Sequence, residues 1–239
     1  MRYVWATGTH QGRIRDRNED SVFPEISGSG PGPILVGVAD GMGGHVAGNV
    51  ASALALTTAT AEDPDADIEV AARVAEANDA IIKRVREQRE LAGMGTTMTL
   101  GRFLPEGTLE LAHVGDSRCY LLRDGDLRQI STDHTVVAEL VALGHISPED
   151  VATHPQRHLV TRTLGLGPVE IDDHELALEA GDRILFCSDG LTSMISNDEI
   201  GQIADAGDDA EATVWSLIEA ANSAGGVDNV TVAVVDVRV

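Results

Sequence analysis

The stretch Ile34-Leu35-Val36-Gly37-Val38-Ala39-Asp40-Gly41 decides the fold. A short apolar run bounded by turn residues predicts a buried strand, and this strand brings a carboxylate to the edge of the core. The same design returns in the stretch Arg183-Ile184-Leu185-Phe186-Cys187-Ser188-Asp189-Gly190. Two buried strands that each end in Asp-Gly predict two carboxylates at one site.

The other predicted elements alternate between groups of strands and pairs of helices. Helical periodicity marks residues 46–61 and 67–90 near the start, and 197–205 and 209–223 near the end, whereas residues 95–130 alternate with a period of two. That alternation predicts an antiparallel meander. Because strands follow strands and helices come in pairs, we predict an α+β fold, a four-layer α/β/β/α sandwich. Two antiparallel sheets would pack face to face, with a helix pair outside each.

Two segments are predicted to lie outside the sheets. The Gly/Pro-rich residues 27–33 are typical of a surface hairpin loop. Residues 134–168 are polar and contain two short predicted helices, near 135–143 and 148–153, which is typical of a flap over a site. We find no linker, so the predicted organisation is one catalytic domain, 1–239, with a flap subdomain at about 134–168.

The composition of the chain indicates which classes of partner and which cellular compartment to expect. The chain has 17 Lys+Arg against 39 Asp+Glu, a formal net charge of -22, so it should repel nucleic acid. Phosphorylated substrates would also be repelled unless cations gather at the site. Cys119 and Cys187 lie in apolar runs, as expected for reduced, buried thiols. With neither a signal peptide nor an apolar run of about 20 residues, we expect a cytoplasmic chain without a membrane partner.

Acidic residues end the apolar strands or lie in the adjacent turns. They are Asp20, Asp40, Asp116, Asp189 and Asp228. Each one alone fits an ordinary turn dipeptide. Together, without accompanying Cys or paired His, they are the ligand set of hard cations such as Mg²⁺ or Mn²⁺. Gly41 would let the backbone come close enough for its carbonyl to join them.

Six short motifs then stand in a specific order along the chain. They are Asn18-Glu19-Asp20, Ala39-Asp40-Gly41-Met42-Gly43-Gly44-His45, Gly95-Thr96-Thr97, His113-Val114-Gly115-Asp116-Ser117-Arg118, Cys187-Ser188-Asp189-Gly190-Leu191 and Asp228-Asn229-Val230-Thr231. From about residue 8 to 237 the chain resembles the metal-dependent serine/threonine protein phosphatases of the PPM class, particularly the compact bacterial branch. The resemblance implies hydrolysis of phosphoserine and phosphothreonine monoesters by a metal-bridging hydroxide, which reverses protein kinase signalling.

The resemblance also implies a metal site. Its ligands would be Asp20, Asp40, Gly41, Asp116, Asp189 and Asp228. Asp40 would bridge two Mn²⁺ or Mg²⁺ ions, with the Gly41 carbonyl on one of them. Asp189 and Asp228 would complete the other, while Asp20 would act largely through bound water. Bacterial members often hold a third, weaker metal near the positions of Asp116 and Asp189.

The substrate side of the implied site depends on basic residues. Arg15 matches the family arginine that binds the phosphate, so Asp40, Asp189 and Arg15 form the implied catalytic set. His158 matches a flap position that influences substrate handling in bacterial relatives. Many eukaryotic members carry His directly after Asp-Gly as a proposed general acid, but this chain has Met42 there. The acid would then be His45 or a metal-bound water, and His45 equally suits the start of the following helix.

Three interpretations of function remain to be compared. The leading one is a phosphatase acting on phosphorylated proteins, Ser/Thr kinases among them, as a cytoplasmic monomer. A catalytically silent domain that binds phosphoproteins would have lost a core acid, and none is missing at the matched positions. A metal-dependent nuclease could use the same acids, but the acidic composition argues against it. Asp133 is expected to be a helix N-cap, and Ser188 a strand-end hydrogen bonder.

Overall fold

The structure, a computed structural model, describes residues 1–43 and 47–239, so the hypotheses about His45 lie outside the described residues. The strands are β1 (Arg2–His10), β2 (Asp20–Phe23), β3 (Gly28–Gly30), β4 (Ile34–Met42), β5 (Gly95–Thr96), β6 (Met98–Phe103), β7 (Thr108–Val114), β8 (Arg118–Arg123), β9 (Asp126–Gln129), β10 (Asp172–Ala177), β11 (Arg183–Cys187) and β12 (Val230–Arg238). The α-helices are α1 (Gly48–Ala59), α2 (Val70–Glu87), α3 (Val136–Ala142), α4 (Asp189–Thr192), α5 (Asn197–Ala206) and α6 (Ala210–Ser223), and 3-10 helices cover Arg89–Leu91 and Pro148–Thr153.

The strands form two antiparallel sheets. The first sheet has the order β3-β1-β12-β11-β8-β9, and the second has the order β10-β7-β6-β4-β2, with β5 beside the end of β4. Helices α5 and α6 pack on the first sheet, whereas α1 and α2 pack on the second. The predicted four-layer α/β/β/α sandwich is therefore confirmed.

Strand β4 shows how an apolar run specifies this architecture. Successive side chains of a strand point to opposite faces of the sheet. Leu35 and Ala39 pack against the α1/α2 layer, while Val36 and Val38 pack between the two sheets. Because both faces of the strand are covered, the sequence reads as nearly continuous apolar residues instead of an alternation.

The Gly/Pro-rich segment departs from the prediction. Gly28–Gly30 forms the edge strand β3, which pairs antiparallel with β1 and sets Gly28 opposite Trp5. A Cβ atom on Gly28 would lie 2.6 Å from the indole ring of Trp5, so a glycine is needed where that ring covers the strand. The prediction that 27–33 is only a loop was wrong, because the pairing depends on β1, which is distant in sequence.

The predicted meander from 95 to 130 also differs from the structure. β6 pairs with β7, and β8 pairs with β9, but the two hairpins belong to different sheets. Gly115 makes the crossing with φ +111, in the region that favours glycine. Asp116 therefore lies where the chain passes from one sheet to the other.

Residues 134–168, the predicted flap, contain both predicted short helices, as α3 and the 3-10 helix Pro148–Thr153. Backbone hydrogen bonds tie the second end of this segment to its first end and to β5. The Thr161 N–H donates to the His134 carbonyl at 2.8 Å, and the Leu164 N–H donates to the Thr96 carbonyl at 2.9 Å. Within 1–43 and 47–239, no helix is long and apolar enough to span a membrane.

Candidate metal centre

The ends of strands from both sheets meet at one end of the sandwich. Asp20 begins β2 directly opposite Asp40 of β4 in the second sheet. Asp189 follows β11 as the first residue of α4, and Asp228 lies two residues before β12, in the first sheet. The two Asp-Gly strand ends thus approach each other, as the sequence predicts.

The electrostatics show how closely these carboxylates crowd together. Burial raises the pKa of Asp40 well above its ordinary range, and the charges of Asp20 and Asp189 raise it further. Burial likewise raises the pKa of Asp20 to about 7 and that of Asp116 to about 7, and each also feels the charge of Asp189. The cluster therefore holds more negative charge than the surrounding protein compensates.

Part of this cluster is open to solvent. Asp40, Asp116 and Asp189 each keep an accessible edge although protein atoms surround most of the side chain. This open edge allows water or a cation to reach the carboxylates and compensate their charge.

Hydroxyl groups orient the carboxylate of Asp20. Its Oδ2 atom accepts hydrogen bonds from Ser188 Oγ and from Thr231 Oγ1, both at 2.7 Å. Its Oδ1 atom is buried and has no hydrogen-bond partner. Ser188 is a strand-end hydrogen bonder, as expected, and Asp20 presents one unsatisfied oxygen.

Two threonines of the Gly95-Thr96-Thr97 motif fix the backbone of Asp40. The Asp40 N–H donates to Thr97 Oγ1 at 2.9 Å, and Thr96 Oγ1 donates to the Asp40 carbonyl at 2.8 Å. A Cβ atom on the next residue, Gly41, would overlap the Gly48 carbonyl oxygen, so only glycine fits. The chain therefore leaves β4 in a defined direction.

Arg15 lies beside the cluster on the loop between β1 and β2. Its Nη2 atom donates to Asp228 Oδ2 at 2.6 Å, and about half of the side chain remains exposed. This hydrogen bond is the main cause that raises the pKa of Arg15. The structure therefore brings the predicted phosphate-binding arginine next to a predicted metal ligand and leaves it accessible.

Asn229 holds the β1–β2 loop in place, a role that was not predicted from the sequence. Its Nδ2 atom donates to the carbonyls of Gln11 and Arg17, each at 2.8 Å, and its Oδ1 atom accepts from the Glu19 N–H. The Asp-Asn dipeptide in the last motif was the available signal. It could not reveal three contacts to residues more than 200 positions away.

A cleft between the cluster and the segment 134–168 contains the remaining predicted residues. The cleft has a volume of about 320 Å³, and Asp116, Asp189 and His158 line it. Burial and the charge of Asp228 raise the pKa of Asp189, and a positive charge on His158 would oppose that rise. The structure thus brings His158 into the same cleft as two of the predicted metal ligands.

Asp133 has a different role from the expected one. It accepts a forked pair of hydrogen bonds from Arg118, at 2.6 Å from Nη2 and 2.9 Å from Nε. The N-cap of α3 is Thr135, whose hydroxyl accepts from the Ala138 N–H. The N-cap prediction was therefore wrong, because the guanidinium of Arg118 engages the carboxylate instead.

The donor set suits a hard divalent cation, although the side chains are not arranged as a metal shell. Among residues 1–43 and 47–239, no group of three or more His, Cys, Asp and Glu could hold a metal as the side chains stand. Instead, the Asp189 carboxylate lies beside that of Asp40, and Arg15 engages Asp228. The guanidinium therefore compensates part of the charge that a cation could compensate, and the unpartnered Asp20 oxygen adds a free ligand atom.

Comparisons with known proteins agree with this geometry. A family model described as Stage II sporulation protein E (SpoIIE) matches residues 30–238. Serine/threonine phosphatase stp of Listeria monocytogenes is 38% identical, over 95% of this chain and 93% of its own length. Serine/threonine protein phosphatase PstP of Mycobacterium tuberculosis is 43% identical over 98% of this chain. That match covers 45% of PstP, so this chain spans about half of its length.

Solved structures that resemble this one are also those of serine/threonine phosphatases. The crystal structure of the Mycobacterium tuberculosis phosphatase PstP/Ppp has a TM-score of 0.91, at 41% identity and 100% coverage of both chains. The structure of the PstP catalytic domain in complex with two manganese ions has a TM-score of 0.88 at 39% identity, and covers 99% of this chain and 100% of that one.

Proposed function

The chain belongs to the SpoIIE/PPM-type family of serine/threonine protein phosphatases, and we propose that it hydrolyses phosphoserine and phosphothreonine monoesters on proteins. The observation that carries the proposal is the meeting of Asp20, Asp40, Asp189 and Asp228 at one end of the sandwich, with Arg15 beside them. The manganese ions in the PstP catalytic domain support the proposal, because that domain is 39% identical to this chain and the clustered carboxylates here are oxygen ligands that suit such a cation.

The proposed metal ligands are the carboxylates and one carbonyl. They are Asp20, Asp40, Gly41, Asp116, Asp189 and Asp228, which would hold two Mn²⁺ or Mg²⁺ ions and a third, weaker one near Asp116. When bound, such cations activate water and offset the negative charge of the phosphoryl oxygens. The free Oδ1 atom of Asp20 and the raised pKa of Asp40 support this assignment.

The chain's own residues would position the reacting groups. Arg15 is suited to hold the phosphate because its fork can donate to two phosphoryl oxygens at once. Its hydrogen bond to Asp228 holds the guanidinium group of Arg15 at the edge of the carboxylate cluster. Ser188 and Thr231 orient Asp20, while Thr97 fixes the backbone of Asp40, so the carboxylates are held before substrate arrives.

We also propose that residues 134–168 form a flap in a single catalytic domain, 1–239, with His158 acting on the substrate from the flap. The cleft beneath this segment, which Asp116 and Asp189 line, supports that arrangement. As partners we propose phosphorylated proteins, Ser/Thr kinases among them, acted on by a monomer in the cytoplasm.

The test is hydrolysis of p-nitrophenyl phosphate and of a phosphothreonine peptide, with Mn²⁺ or Mg²⁺ and after chelation. We expect activity only with metal, and a loss on the order of a thousandfold in Asp189→Asn, since several kcal/mol of transition-state stabilisation depend on the metal site. Asp205→Asn is the matched control, because Asp205 is an exposed acid on α5.

Activity that survives chelation or Asp189→Asn would contradict the proposal. If wild type is inert with both metals but binds the phosphopeptide, the silent phosphoprotein-binding domain is the correct interpretation.

A further inference from the structure

We propose that the surface beside Arg15 docks a short segment of the phosphoprotein substrate. In this docking surface, Trp215 contacts an apolar side chain of the segment and Arg13 pairs with an acidic one. The inference rests on the proposed function and adds a substrate preference to it.

A pocket next to the β1–β2 loop is the first observation. Its volume is about 340 Å³, and its lining residues are His10, Arg13, Trp215, Ile218, Glu219 and Asn222. Trp215 is 46% exposed in a chain with only 3% aromatic residues, and Ile218 is buried beneath the pocket. A half-exposed indole over a buried aliphatic floor is the kind of anchor that often dominates binding energy at protein interfaces.

Other exposed apolar side chains lie on the neighbouring segments. Ile14 is 66% exposed and Val227 is 51% exposed. The two segments touch, because the Arg13 N–H donates to the Gly226 carbonyl at 2.7 Å. Single exposed apolar residues are normal on a protein surface. Two of them on touching segments, beside the Trp215 pocket, are typical of an interaction surface.

The polar groups of the pocket indicate what kind of segment it fits. Among the described residues, no ion pair or side-chain hydrogen bond engages the guanidinium of Arg13. Asn222 is buried, and its Oδ1 atom lacks a hydrogen-bond partner. A peptide N–H could satisfy this amide after rotation about its last side-chain bond. A carboxylate of the docked segment would pair with Arg13. Glu219 of α6, which also lines the pocket, would repel a second carboxylate.

The position of the pocket connects it to catalysis. Arg13, which lines the pocket, and Arg15 are two residues apart on the β1–β2 loop, so their Cα atoms lie at most about 7 Å apart. An extended substrate would cover that distance with two to four residues. The docked side chains therefore belong close to the phosphorylated residue in the sequence of the substrate.

The experiment pairs enzyme variants with peptide variants. Phosphothreonine peptides carry either Leu or Ser three residues from the phosphothreonine, on one side or the other, and p-nitrophenyl phosphate serves as the small substrate. For Trp215→Ala we expect kcat/KM to fall about tenfold with the better Leu peptide, and less than about twofold with its Ser counterpart. Hydrolysis of p-nitrophenyl phosphate should not change.

Arg13→Gln gives a second, independent variant. It should lower kcat/KM about fivefold for a peptide with Glu in place of Gln near the phosphothreonine, and leave the Gln peptide unchanged. Ile26→Ser is the control for Trp215→Ala, because it also removes an exposed apolar side chain but Ile26 follows the far end of β2.

Equal effects of Trp215→Ala on all substrates, or none on any, would overturn the docking surface. A wild type that fails to hydrolyse p-nitrophenyl phosphate with metal would instead refute the proposed function, so the two failures are distinguishable.

Discussion

At the scale of single residues, Arg15 is the position where charge and shape can be separated. Arg15→Lys keeps the positive charge beside Asp228 but loses the planar fork. We expect kcat/KM for p-nitrophenyl phosphate to fall between about tenfold and a hundredfold, because a hydrogen bond to a charged group contributes about 1.5–3 kcal/mol. Steady-state kinetics with metal present measures the effect.

The control for that variant is Arg128→Lys, which makes the same exchange at an exposed arginine of β9. If Arg15→Lys retains wild-type kinetics, Arg15 does not bind the phosphate through its fork.

His113 is a second residue whose chemistry predicts a measurable property. Burial lowers the pKa of its imidazole to about 4, and the charge of His134 contributes. Thr99 Oγ1 lies 2.9 Å from one ring nitrogen and the Thr132 carbonyl lies 3.0 Å from the other. The neutral ring is therefore part of the folded core, and the unfolded chain takes up the proton more readily.

This residue makes folding sensitive to acid. Its contribution is fully present above the unfolded pKa of about 6.5 and is lost as the pH falls towards 4, by up to about 3 kcal/mol. We expect His113→Gln to reduce the loss of unfolding free energy between pH 7 and pH 5, measured by urea titration. His145→Gln, at an exposed histidine, should leave the slope unchanged. An unchanged slope in His113→Gln would refute the prediction.

At the scale of elements, the predictions succeeded where local pattern decides and failed where a distant partner decides. The apolar run of β4 and the periodicity of α6 are local signals, and both elements lie where expected. Strand β3 exists because β1 offers it an edge, and the crossing at Gly115 sends β8 to pair with β11. Neither partner is visible in the local pattern.

A buried ion pair connects two strands of the first sheet with the two helices that cover it. Arg183 of β11 donates to Asp236 of β12 at 2.6 Å, and also to the carbonyl of Ala204 and the hydroxyl of Thr213 on α5 and α6. We expect Asp236→Ala to lower the free energy of unfolding by about 3–5 kcal/mol, because it leaves a buried guanidinium without its counter-charge. Urea unfolding checks this.

The comparison variant is Glu170→Ala, which breaks the exposed pair with Arg162 and should cost less than about 1 kcal/mol. Similar costs for the two variants would mean that the Arg183 pair adds no more than a surface pair.

At the scale of the whole molecule, the site was predictable because its acids stand at the ends of strongly patterned strands. Asp40 and Asp189 follow apolar runs, so their position at the edge of the core follows from the sequence. The contacts that organise the site join residues far apart in the chain, as when Ser188 donates to Asp20 and Asn229 donates to Gln11. Such pairs depend on the packing of both sheets, which no local pattern specifies.

The same crowding of carboxylates has a consequence for the stability of the whole chain. Without metal, the buried charge of Asp40 is opposed by Asp20, Asp189, Asp116 and Asp228. With metal, binding to the folded state adds stability, by about 2.7 kcal/mol when the free metal is 100 times its dissociation constant. Removing one carboxylate should therefore change stability in opposite directions under the two conditions.

We expect Asp40→Asn to unfold at a higher temperature than wild type after chelation, and at a lower one in Mn²⁺. The amide keeps the shape of the side chain while removing one repelling charge. A change of about 1 kcal/mol corresponds to roughly 2–4 °C for a chain of this size. Calorimetry with Asp205→Asn as the matched control tests the reversal, because removal of an exposed acid changes the net charge equally. If Asp40→Asn and wild type keep the same order with and without Mn²⁺, the carboxylates do not form a metal site whose vacant state costs stability.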